Sequence, residues 1–268
     1  MNLSAYVHGY AARENARLQD QAATLADLLH GDTAYPAGSR VLEAGCGVGA
    51  QTLTLARNSP DAQITSVDVS ADSVEQARRT VAAAGLHNVA FRQADLFDLP
   101  FGDASFDHLF VCFVLEHLPQ PLRALAALRR VLKPGGTITV IEGDHGSTFF
   151  HPESAAAHAA IACQVELQAR AGGNARIGRQ LYPLLSEAGF LDARVSPRFV
   201  YADDTRPGMV EGFTRKTFTA MIEGVREAAL AAGLTDADAF DRGIADLRRT
   251  AAPGGVFCYT FFKAIAVR

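Results

Sequence analysis

The stretch VLEAGCGVGAQT, residues 41–52, decides how this chain is read. It opens as an apolar strand, passes glycines at 45, 47 and 49, and continues into the helix-like run QTLTLARN. Glycines between a strand and a helix let the backbone take turn conformations closed to other residues and pass close to a ligand. The helix that follows offers unpaired N–H groups at its start. Gly45-x-Gly47-x-x-Ala50 satisfies the dinucleotide pattern, and Asp68 stands where an acidic residue can hold a ribose. Alone, the stretch marks a ligand turn and leaves the ligand open.

Outward from it, strand-like and helix-like runs alternate. RVLEAG (40–45), QITSVDVS (63–70), VAFRQAD (89–95), FDHLFVCF (106–113) and TITVIEG (137–143) read as five strands. Ser70 can cap the helix that stops at Gly85, and LKPGG (132–136) closes a helix and turns into the fifth strand. Such alternation predicts a doubly wound, mostly parallel sheet with right-handed crossovers. DARVSPRFVYA (192–202) and VFCYTFFKAIAVR (256–268) are two further β runs, and Pro197 assigns the first of them to a sheet edge. Between them residues 203–252 read as helical, with Pro207 in a first turn and Thr235-x-x-Asp238 as a capping box. Ahead of the sheet, Leu18, Ala22, Leu25 and Leu29 share one helical face. The expected organisation is a single domain over 1–268. It comprises an N-terminal helical part (1–39), a core (40–202), a helical insertion (203–252) and a final strand (253–268).

The 268 residues are 49% hydrophobic and 20% charged, with a formal net charge of -4, as in ordinary globular proteins. That balance, with no basic tract or aromatic–basic stripe, gives no reason to expect nucleic acid or an anionic membrane as partner. The most apolar window, HLFVCFVLEHL (108–118), is too short to span a bilayer. The N-terminal MNLSAYVHGYAARENARLQDQ lacks an apolar signal core, so a cytoplasmic location is expected. Cys46, Cys112, Cys163 and Cys258 form no CxxC pair, which argues against a disulfide framework or zinc ribbon.

Four features resolve the glycine-rich turn. Glu43 sits two residues before Gly45, awkward beside a pyrophosphate but suited to a cationic amino-acid moiety. Asp95 ends the third strand in QADLF, FVLEHL follows the fourth, and LKPGG precedes the fifth. With these residues the chain resembles the class I S-adenosylmethionine (SAM)-dependent methyltransferases, in the small-molecule branch with the E-x-G-x-G-x-G motif. The resemblance covers about 40–146 well. It implies a Rossmann-like, seven-stranded methyltransferase fold whose last strand is antiparallel and inserts beside the fifth. It also implies SAM as cofactor and a small-molecule methyl acceptor.

Carried onto matching positions, the resemblance assigns Glu43 and the Gly45–Cys46–Gly47 backbone to the methionine amino group and the region around the sulfonium. Asp68 would accept from the ribose hydroxyls, with Val69 packing on adenine. Asp95, flanked by Ala94 and Leu96, would read the adenine amine. Cys112 and Phe113 would line the methionine side, and His117 would face either the cofactor or the core. Cys46 reads as a buried small residue rather than a nucleophile, since no basic partner adjoins it in sequence.

For the transfer itself, open α/β sheets bind ligands beyond the carboxyl ends of their strands. Asp144 and His145 are expected just past the fifth strand, on the acceptor side. His145 is the candidate catalytic residue, as general base, orienting donor or filler; Asp144 would orient it or cap the next helix. Tyr6 and Tyr10, in YVHGYAARE, are candidates for a lid over the acceptor, and Arg179 for an acceptor carboxylate. Glu116 reads as charge complementing a helix start. The insertion 203–252 would cover the acceptor or form a homo-oligomer interface. No metal is expected: there is no HExxH-type face, and adjacent Asp144 and His145 rarely ligate one ion. No G-x-S-x-G elbow supports a hydrolase. An NAD(P)-dependent oxidoreductase and a non-catalytic SAM-binding protein are the competing functions.

Overall fold

A computed structural model describes residues 12–268, with side chains from residue 20 onward. Tyr6 and Tyr10 lie outside the described residues. Seven strands form one sheet: β1 (Arg40–Ala44), β2 (Gln63–Asp68), β3 (Val89–Gln93), β4 (Phe106–Cys112), β5 (Leu132–His151), β6 (Leu191–Ala202) and β7 (Val256–Val267). Their spatial order is β3-β2-β1-β4-β5-β7-β6. The first five are parallel, while β7 runs antiparallel between β5 and β6. This is the expected doubly wound, Rossmann-like arrangement. The order reverses between β1 and β4, so the carboxyl ends of those strands frame the crevice where such sheets take ligands. Pro197 lies on β6, at the edge, where its missing N–H leaves no central ladder bond unmade.

Both faces of the sheet are covered, which is why β1, β4 and β5 read as near-continuous apolar runs. On one face Val41, Ile64, Phe110, Ile141, Tyr259 and Phe261 pack with Leu25 and Leu29 of α1 (Ala12–His30) and with Phe213 and Phe218. On the other, Leu42, Val67, Leu109, Val140 and Ala264 pack with Leu125 and Leu128 from the helix Pro121–Val131. Ser70 caps the helix Ala71–Ala83 by accepting from the Ser73 N–H, as its position predicts.

Two local expectations are corrected. The helix Ala237–Arg249 is capped by Asp236, which accepts from the Ala239 N–H; it begins one residue beyond the start that a Thr235 capping box would set. More consequentially, β5 does not end at Gly143. It continues to His151, because the long β7 gives it a partner throughout: Asp144 pairs with Thr260 and, after a bulge, Phe149 with Cys258. Asp144 and His145 are therefore inside the strand, at the bulge. There the His145 N–H turns away to the Ala175 carbonyl, and the Ser147 hydroxyl accepts the Thr260 N–H in place of a strand carbonyl. Bulges re-aim side chains and occur next to active sites.

Residues 203–252 contain an irregular helical stretch. Pro207–Met209 leads into a π-helical segment, Val210–Thr219, which places Phe213 and Phe218 against β7. Lys263 of β7, buried, donates to Asp32, Thr33 and the Leu29 carbonyl. Burial alone would raise the Asp32 carboxyl, but Lys263 and Arg198 hold it down to about 2, so this ion pair ties the end of α1 to the sheet.

Candidate functional site

The glycine-rich turn follows β1 directly. Gly45, Gly47 and Gly49 all have positive φ, at 77°, 50° and 81°. Two are glycine for packing as well: a Cβ on Gly45 would lie 2.5 Å from Val114 Cγ2, and one on Gly49 3.0 Å from Ala77. A Cβ on Gly47 would meet nothing within 4 Å, so the turn is open on that side. Two carboxylates stand beside it. Glu43, buried, accepts from Thr52 Oγ1 at 2.7 Å and Ser66 Oγ at 2.5 Å. Burial pushes its carboxyl up to about 7; the two hydroxyls oppose this and Asp68 adds to it. Asp68, at the end of β2, accepts from the Gly47 N–H and the Ser70 N–H, both at 2.9 Å. Burial raises its pKa too, while those backbone donors restrain it. A carboxylate with about four acceptor sites keeps capacity for two hydroxyls after two such bonds.

The remaining cofactor-side candidates cluster around the same strand ends. Val69 is half-buried just past β2. The Ala94 N–H reaches the Asp68 carbonyl, and Asp95 accepts the Phe97 N–H at 2.9 Å, which fixes the turn bearing Ala94 and Leu96. Cys112 closes β4, followed by Phe113 at φ 58°, an uncommon backbone for a bulky residue and one that concentrates at functional sites. Burial pushes the Cys46 and Cys112 thiols up, the second well above the ordinary thiol range, so neither is poised as a thiolate. His117 lies 3.5 Å from Glu116 on the turn Leu115–His117.

The acceptor-side candidates arrange themselves differently from expectation. Asp144 does not orient His145. Its buried carboxylate is gripped in bidentate fashion by Arg179, at 2.6 and 2.9 Å, and accepts the Gly146 N–H. Arg179, half-exposed, is thereby committed to a protein carboxylate. His145 instead finds its partner on β7: Tyr259 Oη is 2.9 Å from His145 Nδ1. The ring, 8% exposed, also packs on Phe218.

Two residues escaped sequence reasoning. Glu142, one step before the bulge, is fully buried; its Oε1 accepts from the Val114 and Leu115 N–H groups while Oε2 has no hydrogen-bond partner. Burial and neighbouring Glu116 raise it well above the carboxylate range. Through those two bonds Glu142 holds the loop whose Val114 seals against Gly45. A lone Glu at the end of the run TITVI was a visible signal. Tyr259 gave none, being one aromatic among several in β7. Among the described residues, no group of three or more His, Cys, Asp or Glu side chains is placed to hold a metal ion, and no helix is long and apolar enough to cross a membrane.

A family model described as a methyltransferase domain matches residues 42–140. The 27-O-demethylrifamycin SV methyltransferase of Amycolatopsis mediterranei is 30% identical over 231 residues, covering 83% of this chain and 76% of that one. An uncharacterised 37.1 kDa transposon protein of Streptomyces fradiae is 36% identical over 190 residues, or 70% of this chain; the alignment spans only 54% of that protein. Among solved structures, the [4+2]-cyclase SpnF superposes with a TM-score of 0.55 at 23% identity, covering 93% of this chain and 81% of that one. The phosphoethanolamine N-methyltransferase 2 of Haemonchus contortus, in complex with S-adenosyl-L-methionine, gives 0.57 at 19% identity, covering 92% and 52%. At these identities the structural likeness is one of fold.

Proposed function

The chain belongs to the SAM-dependent methyltransferase family, and from that premise we propose that it transfers the methyl group of SAM to a small-molecule acceptor by in-line displacement. The observation that carries this is the pairing of an open Gly47 cradle with two carboxylates at neighbouring strand ends, the buried Glu43 and the partly buried Asp68. The residues present fit the cofactor. Glu43 is charged by an ammonium partner, and Asp68 has lone pairs for ribose hydroxyls. At Gly47 the turn presents its backbone without a side chain in the way, its Gly45, Cys46 and Gly47 N–H groups being engaged by Val67 and Asp68. When bound, SAM supplies a methyl group on a cationic sulfur, so no strong nucleophile or metal is demanded of the protein.

The chain's own residues then orient and exclude water. Glu43 and the Gly45–Cys46–Gly47 backbone hold the methionine end. Val69, Ala94 and Leu96 give the adenine an apolar slot, and Asp95 accepts from its exocyclic amine. Cys112, Phe113 and His117 border the methionine side. His145, on the β5 bulge, contacts the acceptor. The Asp144–Arg179 pair fixes the backbone beside it, and Tyr6 and Tyr10 belong to the segment that would close over the acceptor. A dinucleotide is disfavoured because Glu43 would face a pyrophosphate.

The name of the Amycolatopsis relative speaks of an oxygen acceptor and that of the Haemonchus protein of a nitrogen acceptor, so the acceptor atom is left to experiment. SpnF, a [4+2]-cyclase, shares this fold, which supports keeping a non-methylating reading as the rival. We further place the protein in the cytoplasm, with the helices of 203–252 as the surface for any self-association. The deciding experiment is a screen with methyl-labelled SAM against a metabolite extract, read by mass. A labelled product establishes the reaction. SAM binding by calorimetry with no labelled product from any extract fraction would overturn methyl transfer, and NAD(P)H binding without SAM binding would restore the oxidoreductase.

A further inference from the structure

Gly143 of β5 pairs with Phe261 of β7, and Tyr259 lies two residues away on β7, at the bulge. A Cβ at Gly143 would collide with the Tyr259 hydroxyl, so the glycine is what lets that hydroxyl reach over β5 to the bulge. There the oxygen lies 2.9 Å from His145 Nδ1. Burial pushes the phenol pKa well above its ordinary value, with the charges of Glu116 and Asp144 adding to this, so Tyr259 keeps its proton. A phenol that holds its hydrogen away from water has that hydrogen to place. His145 Nδ1 is the ring nitrogen within reach. Tyr259 is 2% exposed and enclosed by Phe213, Phe218 and Phe261, so water does not compete for the bond.

We infer that Tyr259 is a positioning residue that donates to His145 Nδ1 and fixes the imidazole as its Nε2–H tautomer. Nε2 is enclosed in the structure as it stands, and an imidazole so fixed offers a hydrogen-bond donor, not a base, to an acceptor admitted on that side. His145 therefore orients an acceptor through an oxygen or nitrogen lone pair and does not withdraw its proton. This rests on the acceptor-contact role given to His145 above, and it narrows that role to one of the three open at the level of sequence. Gly143, Tyr259 and His145 form one device: the glycine admits the hydroxyl, the hydroxyl sets the tautomer, and the bulge aims the ring.

The test is two-bond proton–nitrogen correlation spectroscopy on full-length protein carrying nitrogen-15 histidine, with His145 assigned by the signal lost in His145→Gln. In the wild type the expected result is an unprotonated, acceptor-type Nδ1 shift and a protonated Nε2. In Tyr259→Phe the Nδ1 shift should move towards the fast-exchange average of both tautomers. A protonated Nδ1 in the neutral wild-type ring, or the same tautomer in Tyr259→Phe, overturns the inference. The wild-type spectrum decides even if the variant fails to fold. Turnover of His145→Ala separately tests the acceptor contact, so the two ideas fail by different measurements.

Discussion

The two halves of the crevice are built by different means. On the side proposed for the cofactor every named side chain lies between residues 43 and 117, each at or just past a parallel strand, and Asp68 reaches Gly47 over only 21 positions. On the acceptor side the decisive bond joins His145 to Tyr259 across 114 positions, at a bulge in an antiparallel pairing. Repeating β-helix-β units deliver strand ends to one edge by their handedness alone, so a cofactor site can be written as short motifs. A site written across β5 and β7 depends on register, and a single glycine can decide it.

If the halves are functionally separable, substitutions in one should leave the other intact. The largest effect is expected at the bulge: His145→Ala should lower kcat by up to about 10³-fold, the scale for losing one aimed donor, with SAM affinity by calorimetry near normal. A parallel loss of SAM affinity would break the division. Next comes Glu43, whose carboxyl is raised from 4.5 to about 7. Between those values the folded protein retains a proton that the unfolded chain has released, so stability falls as pH rises. Below 4.5 both states are protonated and the penalty disappears. Without cofactor, denaturant unfolding should show the wild type losing about 3 kcal/mol across that window relative to Glu43→Gln. A flat difference would mean the carboxylate is solvated after all.

On the same side, Asp68→Ala should weaken SAM about 10²-fold by removing two charge-assisted bonds of about 1.5 kcal/mol each, while kcat at saturating SAM stays within a few-fold. The smallest effect sharpens the comparison most. Gly143→Ala should destabilise by about 1–2 kcal/mol through overpacking, yet reduce turnover well beyond what the lost stability explains. Turnover that tracks only the folded fraction would demote the Tyr259 hydroxyl to packing.

Much of this molecule was legible beforehand. The strand–glycine–helix grammar of 40–58, the Ser70 cap and the edge proline follow from local sequence, while the antiparallel last strand followed from the family resemblance. What was misread was misread for a common reason. TITVIEG seemed to stop at its glycine, since Gly143 followed by polar Asp144 resembles a strand end; the partner strand that carries it on lies more than a hundred residues away. Asp144 and His145 seemed a pair because they are adjacent. Adjacency does not make them partners at a bulge, where the ladder is broken: Asp144 meets Arg179 and His145 meets Tyr259.

By itself, then, the sequence determined the sheet, its handedness and the glycine-rich turn proposed for the cofactor, because those rest on periodicity, glycine conformations and short spacings. Only the tertiary structure decided which polar groups beyond β5 act on one another. Those contacts are made between elements that no local pattern couples, and they are set by the register of two strands and the space left by one missing side chain.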